Sequence, residues 1–293
     1  GKLLILSNGS YGDRMADMAK RAGIELDVVR EDENKSILPS HVEEFLKGKT
    51  YDKKEPYTHV AVVHHETTAG VLNPIKDIGN VVKKNMPNCS YIVDSMSAFG
   101  AYPVNMIDDS IDYLVSSANK NIEGVPGFSF AICNNELLQR DGVHARTVTL
   151  DLLGQLNGLN ETGQFRFTPP THILMAFQKA LDEHEEEGGV NGRLKRYERN
   201  ASVLLEHMNR IGFTPYVEND DIRGCIITTF SFPKNDKHFI FNEFYRKLSV
   251  KGYIIYPGKL AGLECFRIGS IGKLYEKDMI NLVGAIEEVL VEM

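Results

Sequence analysis

The sequence predicts an α/β fold: a large N-terminal domain over residues 1–190 built on a mostly parallel sheet, and a smaller α+β domain over residues 191–293. Three observations predict it. In the first half, short apolar runs alternate with stretches of helical periodicity, the signature of βα units. After about residue 190 the composition changes to strand-like runs interleaved with amphipathic helices. The chain of 293 residues, 42% hydrophobic, is long enough to bury a large core and a second, smaller one.

Taken in order, residues 3–7 read as a strand and residues 8–12 (Asn-Gly-Ser-Tyr-Gly) as the turn after it. Residues 14–22 fit a helix closed by Gly23, and residues 26–29 a second strand. Further strands are expected over residues 59–63, 91–93 and 111–115, with a helix over residues 74–84 between the first two. Beyond Pro169-Pro170, Ile173, Leu174, Phe177, Ala180 and Leu181 recur at helical spacing up to Gly188-Gly189, and a second helix carrying Leu204, Leu205, Met208 and Ile211 stops at Gly212. Strands over residues 226–230, 253–256 and 265–268 follow, with helices over residues 242–250 and 277–293.

Charge excludes some partners. A formal net charge of -7 argues against nucleic acid or an anionic membrane, either of which needs a concentrated cationic surface. The short basic runs Lys53-Lys54, Lys83-Lys84 and residues 193–196 do not alter this; the last, preceded by Glu185, Glu186 and Glu187, reads as a solvated helix surface of mixed charge. Cys89, Cys133, Cys225 and Cys265 are far apart and form no CxxC pair, so reduced thiols in the cytoplasm are expected. No apolar run approaches the roughly 20 residues that span a bilayer, and the first residues have no signal-peptide layout.

In a parallel α/β sheet, ligands bind beyond the carboxyl ends of the strands. The expected strands deliver residues 8–12, then His64-His65-Glu66-Thr67-Thr68, then Asp94, then Ser116-Ser117-Ala118-Asn119-Lys120 to that edge. Asp94 follows an apolar run, so its ionised carboxylate needs a cation or strong hydrogen bonds; taken alone it could equally cap a helix or form a turn. Lys120 taken alone is an ordinary solvated lysine. Together they are more telling, because the 26 positions from 94 to 120 suit one α/β step between neighbouring strand ends. His64 and His65 beside Glu66 invite a metal reading, but adjacent residues in a strand point to opposite faces and cannot chelate together. The short GxxG at Gly9-Ser10-Tyr11-Gly12 lacks the full dinucleotide fingerprint.

The stretch Tyr91-Ile92-Val93-Asp94-Ser95-Met96-Ser97-Ala98-Phe99-Gly100, and Ser116-Ser117-Ala118-Asn119-Lys120 with Gly124-Val125-Pro126-Gly127-Phe128 after it, resemble the class V aminotransferases of fold type I. Within that group they are most similar to the 2-aminoethylphosphonate transaminases. The resemblance continues through His65-Glu66-Thr67-Thr68, Leu72-Asn73-Pro74, Phe165-Arg166-Phe167-Thr168-Pro169, Phe244-Tyr245-Arg246, Tyr256-Pro257-Gly258-Lys259 and Phe266-Arg267-Ile268-Gly269, in order along essentially the whole chain.

The resemblance implies pyridoxal 5'-phosphate as cofactor, with Lys120 its Schiff-base lysine and proton-transfer base and Asp94 the partner of its ring nitrogen. It implies that Tyr11 stacks on the ring, although a tyrosine packing at a helix start reads the same way. Thr67 and Thr68 would contact the cofactor, or else serve as N-caps. Asn119 would neighbour the phosphate, with Thr168 reaching in from the partner subunit of a homodimer with shared sites. Arg267 would grip the substrate carboxylate with a bidentate fork; apart from the resemblance it is a surface arginine on an edge strand.

The implied reaction exchanges an amine with a 2-oxo acid. An alanine:glyoxylate or serine:pyruvate type of transaminase stays open, as does a shortened form that dimerises without the cofactor. Family members carry an N-terminal segment ahead of the position matching Gly1, with a Ser-Gly-rich loop that cradles the cofactor phosphate, so weakened cofactor binding by this stretch is expected. Ala69 stands where relatives often have a third threonine, and residues 83–90 form a slightly longer segment than usual.

Overall fold

Apolar runs with no polar alternation belong in strands covered on both faces, and the computed structural model places them there. It describes residues 1–48, 56–233, 239–258 and 264–293, which leaves the Lys53-Lys54 run and Lys259 outside the described residues. The first half lays down β1 (Lys2–Ser7), α1 (Ser10–Arg21), β2 (Glu25–Arg30), α2 (Pro39–Lys47) and β3 (Tyr57–Val63). A short hairpin follows, β4 (His65–Glu66) with β5 (Val71–Leu72), then α3 (Ile75–Asn85), β6 (Ser90–Asp94), β7 (Tyr113–Ser117) and β8 (Ser129–Cys133). Six of these strands form one sheet in the order β2-β1-β3-β6-β7-β8, parallel throughout except for β8, which runs antiparallel to β7.

One face of this sheet buries Leu4, Leu6, Val60, Val62, Tyr91 and Val93 with Ile78 and Val82 of α3, while Ile5 and Ala61 meet Ala16 and Ala19 of α1 on the other. The order reverses between β1 and β3, since β2 lies outside β1 and the later strands lie beyond β3. That reversal opens a crevice at the strands' carboxyl ends, where such folds collect ligands. Asn8 and Asn73 close its floor, exchanging two side-chain hydrogen bonds of 3.0 Å.

The chain continues through α4 (Asn135–Asp141), α5 (Leu152–Thr162), α6 (Thr171–Glu186) and α7 (Gly189–Arg210). Then come β9 (Ile227–Ser231), α8 (Phe241–Val250), β10 (Tyr256–Pro257), β11 (Cys265–Gly269) and α9 (Glu276–Val291). The last three strands form an antiparallel sheet with β11 in the middle, over a core of Phe213, Phe230, Phe244 and Phe266 with Leu204, Leu248 and Ile286 from α7, α8 and α9. Each of the two sheets thus has a hydrophobic core of its own.

Several expectations are corrected. Residues 10–12 are the first turn of α1 rather than a loop, because Glu66 and Thr68 supply the acceptors its amides need. Of the strand expected over residues 253–256 only Tyr256 pairs with β11, joined by Pro257 just beyond it. Residues 193–196 are not a solvated face: the Arg193 side chain is 2% exposed and Arg196 11%, both paired with Glu187 and Glu123. Arg267 is buried in the central strand of its sheet, not at an edge. The structure adds α2, the β4–β5 hairpin, β8, α4 and α5, none of which has a distinct periodic signal.

Candidate active site

Strands β6 and β7 run parallel and bring their products to one edge. Asp94 ends β6 in register with Val115, and β7 runs two residues further before the turn that carries Lys120. Lys120 faces a cleft of about 460 Å³ between the large sheet's carboxyl edge and the sheet of β9, β10 and β11. Tyr11, Thr67 and Ser97 line it from the large sheet, Arg267 and Tyr256 from the small one, and Met279 and Leu282 of α9 close its apolar end. The cleft therefore has a cation on each wall and greasy sides.

Asp94 stands at the same sheet edge, largely buried. Its carboxylate accepts the Met96 amide at 2.9 Å, and burial pushes its pKa up. The cation that its environment calls for is not a side chain: among the described residues no lysine, arginine or histidine pairs with it. The Lys120 amine, likewise, makes no hydrogen bond or ion pair among the described residues. Nearby, the buried hydroxyl of Ser117 has no partner among them either. At one edge, a carboxylate without a cation and an amine and a hydroxyl without partners among the described residues are groups available to a ligand.

Arg267 is held in place rather than loose. Its Nε donates to the Pro257 carbonyl at 3.3 Å and its Nη1 to the Thr67 carbonyl at 3.0 Å, tying the two sides of the cleft together, while Nη2 has no hydrogen bond among the described residues. The Tyr11 ring lies 4.9 Å from the Arg14 guanidinium carbon on the first turn of α1. That turn is set by Glu66, fully buried, whose carboxylate accepts the amides of Tyr11 and Gly12 at 3.1 Å.

Apart from Asp94, the expected residues separate into four groups. Tyr11, Thr67, Lys120 and Arg267 share the cleft. Asn119 sits next to Lys120 in a smaller hollow with Glu123 and Lys273. Thr68 faces inward, donating to Glu66 at 2.6 Å and accepting the Ser10 amide at 2.9 Å, so its hydroxyl secures α1 rather than the cleft. Thr168 lies in an exposed stretch lining a separate, open concavity with Phe165, Phe167 and Met175. Ser97 and Glu66 were missed: each acts through partners far away in sequence, which no local periodicity marks.

The family model described as "Aminotransferase class-V" matches residues 9–246. The chain belongs to that family. This class V chain is 45% identical over 290 residues to a 2-aminoethylphosphonate–pyruvate transaminase of Lysinibacillus sphaericus, covering 99% of the chain and 76% of the relative. It is 43% identical to another of that name from Phocaeicola vulgatus, over 98% of the chain and 77% of the relative. Among solved structures, an alanine–glyoxylate aminotransferase of Nostoc superposes with a TM-score of 0.85 at 21% identity, covering 99% of this chain and 75% of that one, which establishes the fold type I architecture. No helix among the described residues is long and apolar enough to cross a membrane.

Proposed function

We propose that this class V aminotransferase transfers the amine of 2-aminoethylphosphonate to pyruvate, releasing phosphonoacetaldehyde and L-alanine, with pyridoxal 5'-phosphate as cofactor. The observation that carries the reading is the sharing of one cleft by Lys120 and Arg267, with Asp94 at the end of the neighbouring strand and no cation beside it among the described residues. The relatives at 45% and 43% identity bear the name of that reaction, which supports the choice of substrates.

The residues present fit the cofactor. When bound, pyridoxal phosphate supplies an aldehyde carbon that takes up the amine and a protonated ring that accepts electron density. Lys120 would hold it through its Nζ and afterwards carry the proton; Asp94 would keep a proton on the ring nitrogen, a cation that compensates the buried carboxylate. Tyr11 and Thr67, on the cleft wall, would confine the ring, and Asn119 with the Ser117 hydroxyl would approach the phosphate. Arg267, already fixed by two backbone carbonyls, offers its remaining N–H groups to the carboxylate of pyruvate and to the phosphonate that replaces it. Thr168 would join the site from a second copy, and the half-exposed Phe165 and Phe167 around it support a homodimer.

The test is chemical. With pyridoxal phosphate and borohydride, the cofactor's mass should become fixed on Lys120, and Lys120→Ala should take up none; fixation elsewhere, or an unchanged spectrum in the variant, would remove the assignment. Turnover of 2-aminoethylphosphonate with pyruvate should exceed that of serine or alanine. The opposite order would reassign the chain to the serine:pyruvate or alanine:glyoxylate type.

A further inference from the structure

The turn that carries Lys120 is braced from behind by a charged cluster that none of the steps above uses. Three residues beyond the lysine, Glu123 adopts φ 63, the left-handed region that a side chain other than glycine, asparagine or aspartate seldom enters. Its amide closes the turn on the Lys120 carbonyl at 2.9 Å. Its carboxylate accepts hydrogen bonds from Arg196 at 2.8 Å and from Tyr197 at 2.6 Å, and lies 3.4 Å from Arg193. Arg193 also donates to the Asn121 carbonyl inside the same turn, while Glu187 neutralises both arginines from the other side. The Asn121 amide reaches the Ser97 carbonyl at 3.2 Å, on the cleft wall.

The same α7 side chains also hold the segment that follows β11, the strand of Arg267. Arg196 donates to the carbonyls of Gly272 and Leu274, and the Tyr197 hydroxyl accepts the Gly272 amide at 3.3 Å. One cluster on one helix thus grips the amine's turn and the continuation of the arginine's strand.

We propose that Glu123, held by Arg193, Arg196 and Tyr197, is a positioning residue: it keeps the Lys120 turn in its strained form and sets the separation between the Lys120 amine and Arg267. The proposal rests on Lys120 being the cofactor lysine. A strained backbone persists only where its surroundings impose it; without the carboxylate nothing ties residue 123 to α7, so the turn samples other conformations and the amine is displaced.

The test uses Glu123→Gly, which suits the backbone angle and keeps the fold while removing the anchor, together with Tyr197→Phe and Glu123→Gln. The rate of borohydride-fixable linkage of pyridoxal phosphate to Lys120 should fall about tenfold to a hundredfold in Glu123→Gly, as for a reacting group misplaced by about 1 Å. Tyr197→Phe should fall less, and Glu123→Gln, which keeps an acceptor, should recover part of the loss. In the protein without cofactor, amide exchange over residues 118–124 should quicken in Glu123→Gly. Linkage and exchange at wild-type rates in folded Glu123→Gly, or in Tyr197→Phe should the first variant not fold, overturn the positioning role and leave the assignment of Lys120 intact. Failure of the wild type to link at Lys120 removes that assignment, and this inference with it.

Discussion

Asp94 and Arg267 show at the scale of single residues how the site stores unfavourable free energy for later use. Burial raises the Asp94 pKa, so the folded chain holds this proton more tightly than the unfolded chain does. The resulting contribution favours folding at low pH and is lost as pH rises through the folded value. Asp94→Asn should therefore raise the melting temperature of the cofactor-free protein at neutral pH, with no gain at a pH where the native carboxyl is protonated; thermal melts at the two pH values check this. The same variant should lose activity, the usual exchange between stability and function. Arg267 offers planar donors, and Arg267→Lys replaces them by a point charge. A lost charge-assisted hydrogen bond costs about 1.5–3 kcal/mol, so KM for pyruvate should rise by about one to two orders of magnitude in steady-state kinetics.

At the scale of elements, the segment between β3 and β5 does most to shape the site. His64 and His65 are buried there, and burial depresses their pKa values to about 3 and about 4 from 6.5. With folded values below unfolded ones, the stability they allow is complete above about pH 6.5 and is lost as pH falls toward those values. For His65, the depression from 6.5 to about 4 corresponds to on the order of 3 kcal/mol. His65→Gln should flatten the acid limb of a urea-unfolding series by about that amount. In the same hairpin, Gly70 has φ +98 and a Cβ there would stand 2.7 Å from the Ile227 carbonyl oxygen of β9. Gly70→Ala should cost at least about 1–3 kcal/mol by denaturant midpoint, through backbone strain and separation of the two sheets. Thr67, whose carbonyl receives Arg267, sits on this hairpin's turn, so the variant should also weaken substrate binding.

For the whole molecule, α7 and the cleft tie together two sheets with separate cores. The division into domains at about residue 190 is our proposal, and it coincides with Gly188 and Gly189, both at positive φ, where α6 gives way to α7. The proposed homodimer predicts a molecule of twice the chain mass in sedimentation equilibrium. Phe167→Asp, at a half-exposed position beside Thr168, should shift it toward monomer and lower activity, since the Thr168 contribution would be lost. A monomer in the wild type would remove the shared-site reading.

How far the sequence was legible differs with the range of the interactions. Order and type of the main strands followed from runs such as residues 59–63, and Asp94 and Lys120 were placed at one edge by the rule that parallel strands end together. Those features depend on local periodicity and on motifs contiguous in the chain, so the sequence by itself determined the α/β architecture and the family, and it nominated the lysine that we propose holds the cofactor. Tertiary structure alone decided which groups meet. It placed Thr68 on the end of α1, buried Arg193 and Arg196 against Glu123, and moved Arg267 to the middle of its sheet. The reason is physical: whether a charge is solvated or paired is set by neighbours up to 200 positions away, as between Thr67 and Arg267, and no residue pattern records that distance.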